Sequence, residues 1–271
     1  MTQKAPHSRP GRHRSDPDPP PISIPEFSTT CRWLRKSRGL GREQAATTLK
    51  FSAVHLGRFE RGEALPSAKF MELIIAGYRL DPAMAAHLRD LAIPAIPLSP
   101  AEHLRAWVQA DTALVSNLER FQVRGILAAY VDPLWNVLAR NDLFAEALPG
   151  IDESQSIPVS MFTEPGKAVV IDPEAEGACA VSMLKGIMGK YRDSAQAREL
   201  VTALTPVPEA QRFWAASADI TFGRDSRFLL HARGPGGNLV SYQLTLADSI
   251  PAHHIQLLTA TPEPYSGPEI N

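Results

Sequence analysis

The sequence predicts an all-α domain of five helices followed by an α+β domain, and three features carry that prediction. Residues 28–92 hold apolar side chains at helical spacing, cut into short lengths by cap and turn residues. Ile93-Pro94-Ala95-Ile96-Pro97 cannot continue a helix and separates that region from the rest of the chain. Near the C-terminus Val240, Tyr242, Leu244 and Leu246 alternate with Ser241, Gln243 and Thr245, the period of a half-buried strand. The expected divisions are a disordered arm at 1–25, the helical domain at 26–92, a linker at 93–98, the α+β domain at 99–261 and a tail at 262–271.

At 271 residues the chain has room for two ordinary domains. No stretch approaches the roughly 20 apolar residues of a membrane span, and no basic-then-apolar start resembles a signal peptide. A cytoplasmic protein with no membrane partner is expected. Cys31 and Cys179 are too few for a disulfide framework or a four-cysteine metal site. The net charge of −1 conceals a gradient. Residues 1–21 carry four basic against two acidic side chains, residues 28–92 eleven against six, and residues 93–271 thirteen against twenty. A polyanion is attracted to the front of such a chain and repelled by its back. Residues 1–25 are rich in proline and charge, so they cannot bury enough surface to offset their ordering entropy. A plain flexible leader is the expected role; the alternative is an arm whose Arg9, Arg12 and Arg14 reach a minor groove or phosphates.

In the helical region, Ser28 or Thr29 is expected to cap a first helix ending near Gly39. Arg42 to Leu49 reads as a second, with a small apolar side made by Ala45, Ala46 and Leu49. Lys50-Phe51 turns the chain, and Ser52 caps a third helix through Glu60. Leu56 and Phe59 then face inward, leaving Ala53, Val54, Gly57 and Arg58 outward. A braced helix that shows small residues and an arginine to solvent suits the major groove of DNA. Ser67 caps a fourth helix with Phe70, Leu73, Ile74 and Tyr78 on its packed face, and Asp81-Pro82 starts a fifth carrying Met84, Leu88 and Leu91.

Leu34, Arg35, Arg38, Leu40, Glu43, Ala46, Ser52, Leu56, Glu60, Gly62 and Pro66 together resemble the helix-turn-helix domain of XRE-family regulators, over about residues 28–92. The resemblance implies binding to double-stranded DNA through Arg42, Ser52, Ala53, Val54, Gly57 and Arg58, by a homodimer at a palindromic operator. It also implies a partly buried ion pair of Arg35 with Glu60, tying the first helix to the end of the third. Three positions depart from the family pattern. Arg42 stands for a glutamine, Ala45 for a core leucine, and Lys50 for the glycine of a left-handed turn, which costs a non-glycine residue roughly 1–2 kcal/mol.

The second domain is expected to open with one helix from Ser99 to Arg120, carrying Leu104, Trp107, Val108, Leu114, Val115 and Leu118. Ile126 to Asn141 reads as strand, turn, strand about Asp132-Pro133. Val181, Leu184, Met188 and Tyr191 share one face of a helix, Leu200, Val201 and Leu204 sit on the next, and Glu209 to Ala216 carries Phe213-Trp214. Strands at Phe228 to His231, Leu239 to Leu246 and Ile255 to Ala260 complete a sheet drawn from both ends of the domain.

Ala129-Tyr130-Val131, Trp135, Val137-Leu138-Ala139 and Asn141, then Arg212-Phe213-Trp214, then strands about His231 and Gly237, look like the ligand-binding domain of MmyB-like transcription regulators. That family places this domain directly behind an XRE domain, the order seen here. The resemblance implies a PAS-like fold able to enclose a small apolar ligand such as a fatty acid. Candidates for the pocket are Trp135, Asn141, Phe144, Leu184, Met188, Phe213 and Trp214, with His231 for a head group. The concave face of the sheet is expected against the helices that carry Leu184, Met188 and Phe213-Trp214. Ala232, where proline is common, and Asn136, where aspartate is usual, depart from the pattern.

No zincin histidine pair, G-x-S-x-G elbow or Walker loop occurs, so neither an enzyme nor a metal or cofactor beyond the apolar ligand is expected. Gly234 to Gly237 joins two strands and leads into no helix, which makes it a hairpin turn rather than a phosphate cradle. The reading is a DNA-binding regulator that senses a small apolar molecule. The alternative is a protein-interaction module with a vestigial helix-turn-helix.

Overall fold

The structure, a computed structural model, describes residues 21–216, 219–225, 227–234 and 236–270. Most of the expected N-terminal arm, and Pro235 of the expected hairpin turn, lie outside the described residues. Five helices come first: α1 Phe27–Lys36, α2 Arg42–Leu49, α3 Ala53–Glu60, α4 Ala68–Tyr78 and α5 Pro82–Leu91. They close over Cys31, Leu34, Leu49, Leu56, Phe59, Ile74 and Leu88, all buried. Local chemistry sets the ends. Ser52 Oγ accepts the His55 N–H at 3.3 Å, and Asp81 Oδ1 accepts the Met84 N–H at 2.9 Å. Lys50 takes the left-handed conformation expected of it, at φ 58° and ψ 36°. Ala45 and Ala46 are buried, and α4 lies so close that a Cβ on Gly77 would sit 2.7 Å from Leu49 Cδ2. Gly77 of α4 is therefore what allows α2 and α4 to approach closely at Leu49.

Two details differ from the sequence expectation. Helix α1 starts behind Glu26 without a side-chain cap, so Ser28 and Thr29 fall inside its first turn. The packed face of α4 is centred on Met71, Ile74 and Tyr78, with Phe70 and Leu73 at its margin, one position round the helix.

The α+β part follows as α6 Ala101–Ala110, α7 Thr112–Val123, β1 Leu127–Val131, β2 Val137–Arg140, α8 Asp142–Ala147, α9 Ile151–Ser154, α10 Ile157–Ser160 and α11 Glu164–Val169. Then come α12 Pro173–Lys190, α13 Ala195–Leu204, α14 Pro208–Ala216, β3 Leu230–Arg233, β4 Leu239–Ile250 and β5 Ile255–Pro264. The strands form one antiparallel sheet in the order β2-β1-β5-β4-β3, so both ends of the segment do meet in it. The single helix expected over 99–120 is two. Asp111 breaks it, its Oδ1 accepting the N–H groups of Ala113 at 2.9 Å and Leu114 at 3.3 Å to cap α7. The last strand also runs past the expected tail boundary, with Val240 opposite Pro264.

Strand β1 is buried on both faces, and its alternation divides the core. Ala128 and Tyr130 join α6 and α7. Leu127, Ala129 and Val131 join Phe144, Ile151, Val240 and Tyr242 on the other side. Helices α12, α13 and α14 make a further cluster of their own, around Leu184, Met188, Leu200, Leu204, Phe213 and Trp214. The sheet thus does not lay its concave face against α12 and α14, as the sequence suggested. The β1–β2 turn bridges the two clusters instead, through Leu134 and Trp135.

The two parts of the chain are firmly joined. The Ile96 N–H donates to the Lys190 carbonyl at 2.8 Å, and Arg192 donates to the carbonyls of Asp90, at 3.3 Å, and of Ile93. A Cβ on Gly189 of α12 would lie 2.9 Å from His87 Cε1 on α5, so glycine is what lets these helices touch. Residues 21–25, expected to belong to a disordered arm, are placed against the second part of the chain. Ile22 is 3% exposed and packs within the cluster of α12, α13 and α14.

Candidate DNA-reading helix and ligand-binding core

Helix α3 buries one side in the first domain and leaves the other exposed. Leu56 and Phe59 anchor it inward, and Phe59 meets Phe27, Phe51 and Phe70 edge-on at 5.8–6.4 Å. On the outer side Val54 is 72% exposed, and Ser52, His55 and Arg58 are exposed beside it. A shallow groove between α2 and α3 is lined by Thr47, Lys50, Ser52, Ala53 and Val54. Gly57 lies on this side of the helix, three residues from Val54, but is covered. It is buried, and a Cβ there would meet Arg61 Nη1 at 3.0 Å, because the arginine side chain folds back along the helix. His55 is not among the residues the sequence predicts for this face. Its Nδ1 lies 2.9 Å from Ser52 Oγ and its ring rests on Phe70 at 5.2 Å, which fixes an exposed imidazole at the start of the helix.

Behind α3 lies the expected ion pair, enlarged. Glu60 has no exposed side-chain surface; Arg35 Nε donates to its Oε1 at 2.5 Å and Arg35 Nη2 to its Oε2 at 3.0 Å. Arg42 joins them, its Nε donating to Glu60 Oε2 at 3.1 Å while half its side chain stays exposed. Burial by itself would raise the Glu60 pKa, but hydrogen bonds from the two guanidinium groups outweigh it and hold the carboxyl below its ordinary range. Arg42 is therefore oriented by Glu60 at the N-terminus of α2 while remaining open to solvent.

The residues expected to line one pocket are distributed among several sites. Leu184, Met188, Phe213 and Trp214 come together, with Trp135 at their border. Phe144 sits in the sheet-side cluster. Asn141 spends its side-chain polar atoms on the start of β1 and on capping α8. Its Oδ1 accepts the N–H groups of Ala128 and Phe144, both at 3.1 Å, and its Nδ2 donates to the Ile126 carbonyl at 2.8 Å. His231 points to the opposite sheet face from Ala232, where its Nδ1 meets Ser241 Oγ at 2.9 Å and its ring packs edge-on to Tyr265. Neither is placed to meet a guest among Leu184, Met188 and Trp214.

Lys185 is a cation beside that cluster, and no motif in the sequence points to it. Its Nζ donates to the Trp214 carbonyl at 2.5 Å and lies 5.0 Å over the Trp214 ring. Burial lowers its pKa to about 8. Lys185 and Trp214 line a cleft of about 250 Å³ with Trp33 of α1 and His87 of α5, where the two parts of the chain meet. The buried hairpin turn adjoins the same cluster. Asp132 accepts the N–H groups of Leu134 at 2.9 Å and Asn136 at 3.0 Å on Oδ1, and Asn136 Nδ2 at 2.9 Å on Oδ2.

A compact helical unit whose third helix exposes its outer face, followed by an α+β unit with its own apolar core, is the architecture expected of a two-domain transcription regulator. Comparison with protein families agrees: the helix-turn-helix domain family matches residues 26–88. The MmyB-like transcription regulator ligand binding domain matches residues 113–269, more than half of the chain, and the chain belongs to that family. No curated protein matches it. Among the described residues no helix is long and apolar enough to cross a membrane.

Proposed function

We propose that this regulator reads a palindromic operator as a homodimer through Ser52, Ala53, Val54 and Arg58 of α3, and that its C-terminal domain responds to an acyl-type ligand held among Leu184, Met188, Phe213 and Trp214, with Trp135 at the edge. The exposure of Val54 and Arg58 on a helix sealed from behind by Leu56 and Phe59 carries the DNA half of the reading. An apolar Val54 suits a thymine methyl, and Arg58 a guanine edge. Arg42, steadied by Glu60, suits a phosphate. For the ligand half, a deformable methionine and large aromatic rings can wrap an irregular apolar guest, and Lys185 is better placed than His231 to meet a carboxylate. Met188 has no exposed surface, so a guest enters only by displacing something.

Gel shifts with an operator selected from random DNA test the first half. Arg58→Ala is expected to cost about 1–3 kcal/mol on that operator and little on random DNA. Arg42→Ala is expected to weaken both alike and to flatten the salt dependence. Equal loss on both DNAs for Arg58→Ala would remove it as a reader. One recognition helix spans only a few base pairs, so symmetry is needed for useful discrimination. Light scattering at micromolar concentration should give twice the chain mass; a monomer, both free and on DNA, rejects the dimer.

A further inference from the structure

We infer that Pro21–Pro25 is a built-in competitor for the ligand of the second domain: Ile22 holds a place that an acyl chain takes, and the segment leaves when the chain enters. The inference rests on the acyl reading proposed above and adds how that site is regulated.

Ile22 precedes the first helix of the DNA-reading part, yet it is 3% exposed and shares one apolar cluster with Leu134, Val181, Leu184, Met188 and Trp214. Ile24 packs against the same cluster, half-buried. Pro21, Ser23 and Pro25 form a wall of the cleft whose other walls include Lys185 and Trp214. The segment therefore lies across α12 and α14, at the mouth of their core.

Its attachment is of one kind. Among the described residues no hydrogen bond holds 21–25, and two of the five are prolines without an N–H. Among the described residues apolar burial is what keeps it in place, and burial is non-directional, so a larger apolar guest can replace it. Isoleucine offers about four side-chain carbons, whereas an acyl chain of about a dozen carbons removes several times that surface from water.

Displacement has a short route to DNA. Only Glu26 separates the segment from α1, which begins at the buried Phe27. The same helix carries Arg35, the partner of Glu60 at the end of α3. The strap therefore ties the base of the reading helix to the ligand-binding core, and a ligand that expels it favours one arrangement of the two parts over the other, the condition for a response.

The test uses the full chain labelled with ¹³C at isoleucine δ1 methyls, with dodecanoate as the probe and Ile22→Ala to assign the Ile22 resonance. Free protein should show that methyl away from the position of a solvated isoleucine, as its burial requires. Saturating dodecanoate should move it to the position of a solvated isoleucine. Calorimetry should show Ile22→Ala binding dodecanoate about tenfold more tightly than the wild type, since less of the protein is blocked. An Ile22 methyl unmoved by bound dodecanoate overturns the competition and leaves the acyl reading standing. No dodecanoate binding by either protein rejects both.

Discussion

Replacing Glu60 with alanine is expected to cost about 3–5 kcal/mol of stability, the range for breaking a buried pair by removing one partner. The loss arises from what stays behind. Arg35, with a tenth of its side chain exposed, would keep its charge without a carboxylate, and Arg42 would lose the acceptor that orients it. The pH dependence follows from the depressed Glu60 pKa. A carboxyl held below its unfolded pKa contributes stability that is present above that value and lost as pH falls through the folded one. The gap between wild type and Glu60→Ala should therefore narrow as the medium becomes more acid than the ordinary glutamate range. Urea unfolding followed by circular dichroism reads this directly. A difference within about 1 kcal/mol at neutral pH would mean that the pair behaves like a surface one. DNA affinity should fall with stability, because the same carboxylate fixes α1, α2 and α3 relative to one another.

Asp132→Ala is the second large effect, at about 2–4 kcal/mol near pH 5. The carboxyl is the acceptor for the Leu134 and Asn136 N–H groups and for Asn136 Nδ2, and it has no exposed surface. Buried donors left without an acceptor cost about 1–3 kcal/mol each, and part of that is recovered as the turn relaxes. Here the pH sign is reversed. Burial pushes the Asp132 pKa up to about 6, against the pull of the Asn136 and Leu134 hydrogen bonds. A raised pKa gives stability that is full below the unfolded value and is lost as pH rises through the folded one. Wild-type stability should therefore drop by on the order of 1–3 kcal/mol between about pH 4 and pH 7 from this group, and Asp132→Ala should be flatter over that window. The cost of the substitution is then smaller at pH 7 than at pH 5. Thermal melts across the window that run parallel for the two proteins would show that Asp132 titrates normally.

The sequence by itself determined the parts whose causes lie within a turn or two of chain. Ser52 and Asp81 begin helices because a side-chain oxygen reaches an N–H three residues on. The alternation of Val240, Tyr242 and Leu244 marks a strand because its period is two, whereas the left-handed turn at Lys50 was legible through the family pattern, which has glycine there. Arg35 and Glu60 were legible only through the family pattern that joins them; spacing alone pairs no two residues twenty-five apart. Even the break at Asp111 was written locally, as an aspartate two residues before the amide it caps. The tertiary structure decided which surfaces meet. It buried Gly57 under Arg61, spent Asn141 on the start of β1 and the cap of α8, and turned His231 to the far side of the sheet. It also drew Ile22 out of a proline-rich leader into the core of the second domain. An apolar side chain carries no label for its partner, since burial rewards any dry contact equally. Which contact is made depends on the packing of elements far apart in sequence, and only the assembled fold contains that.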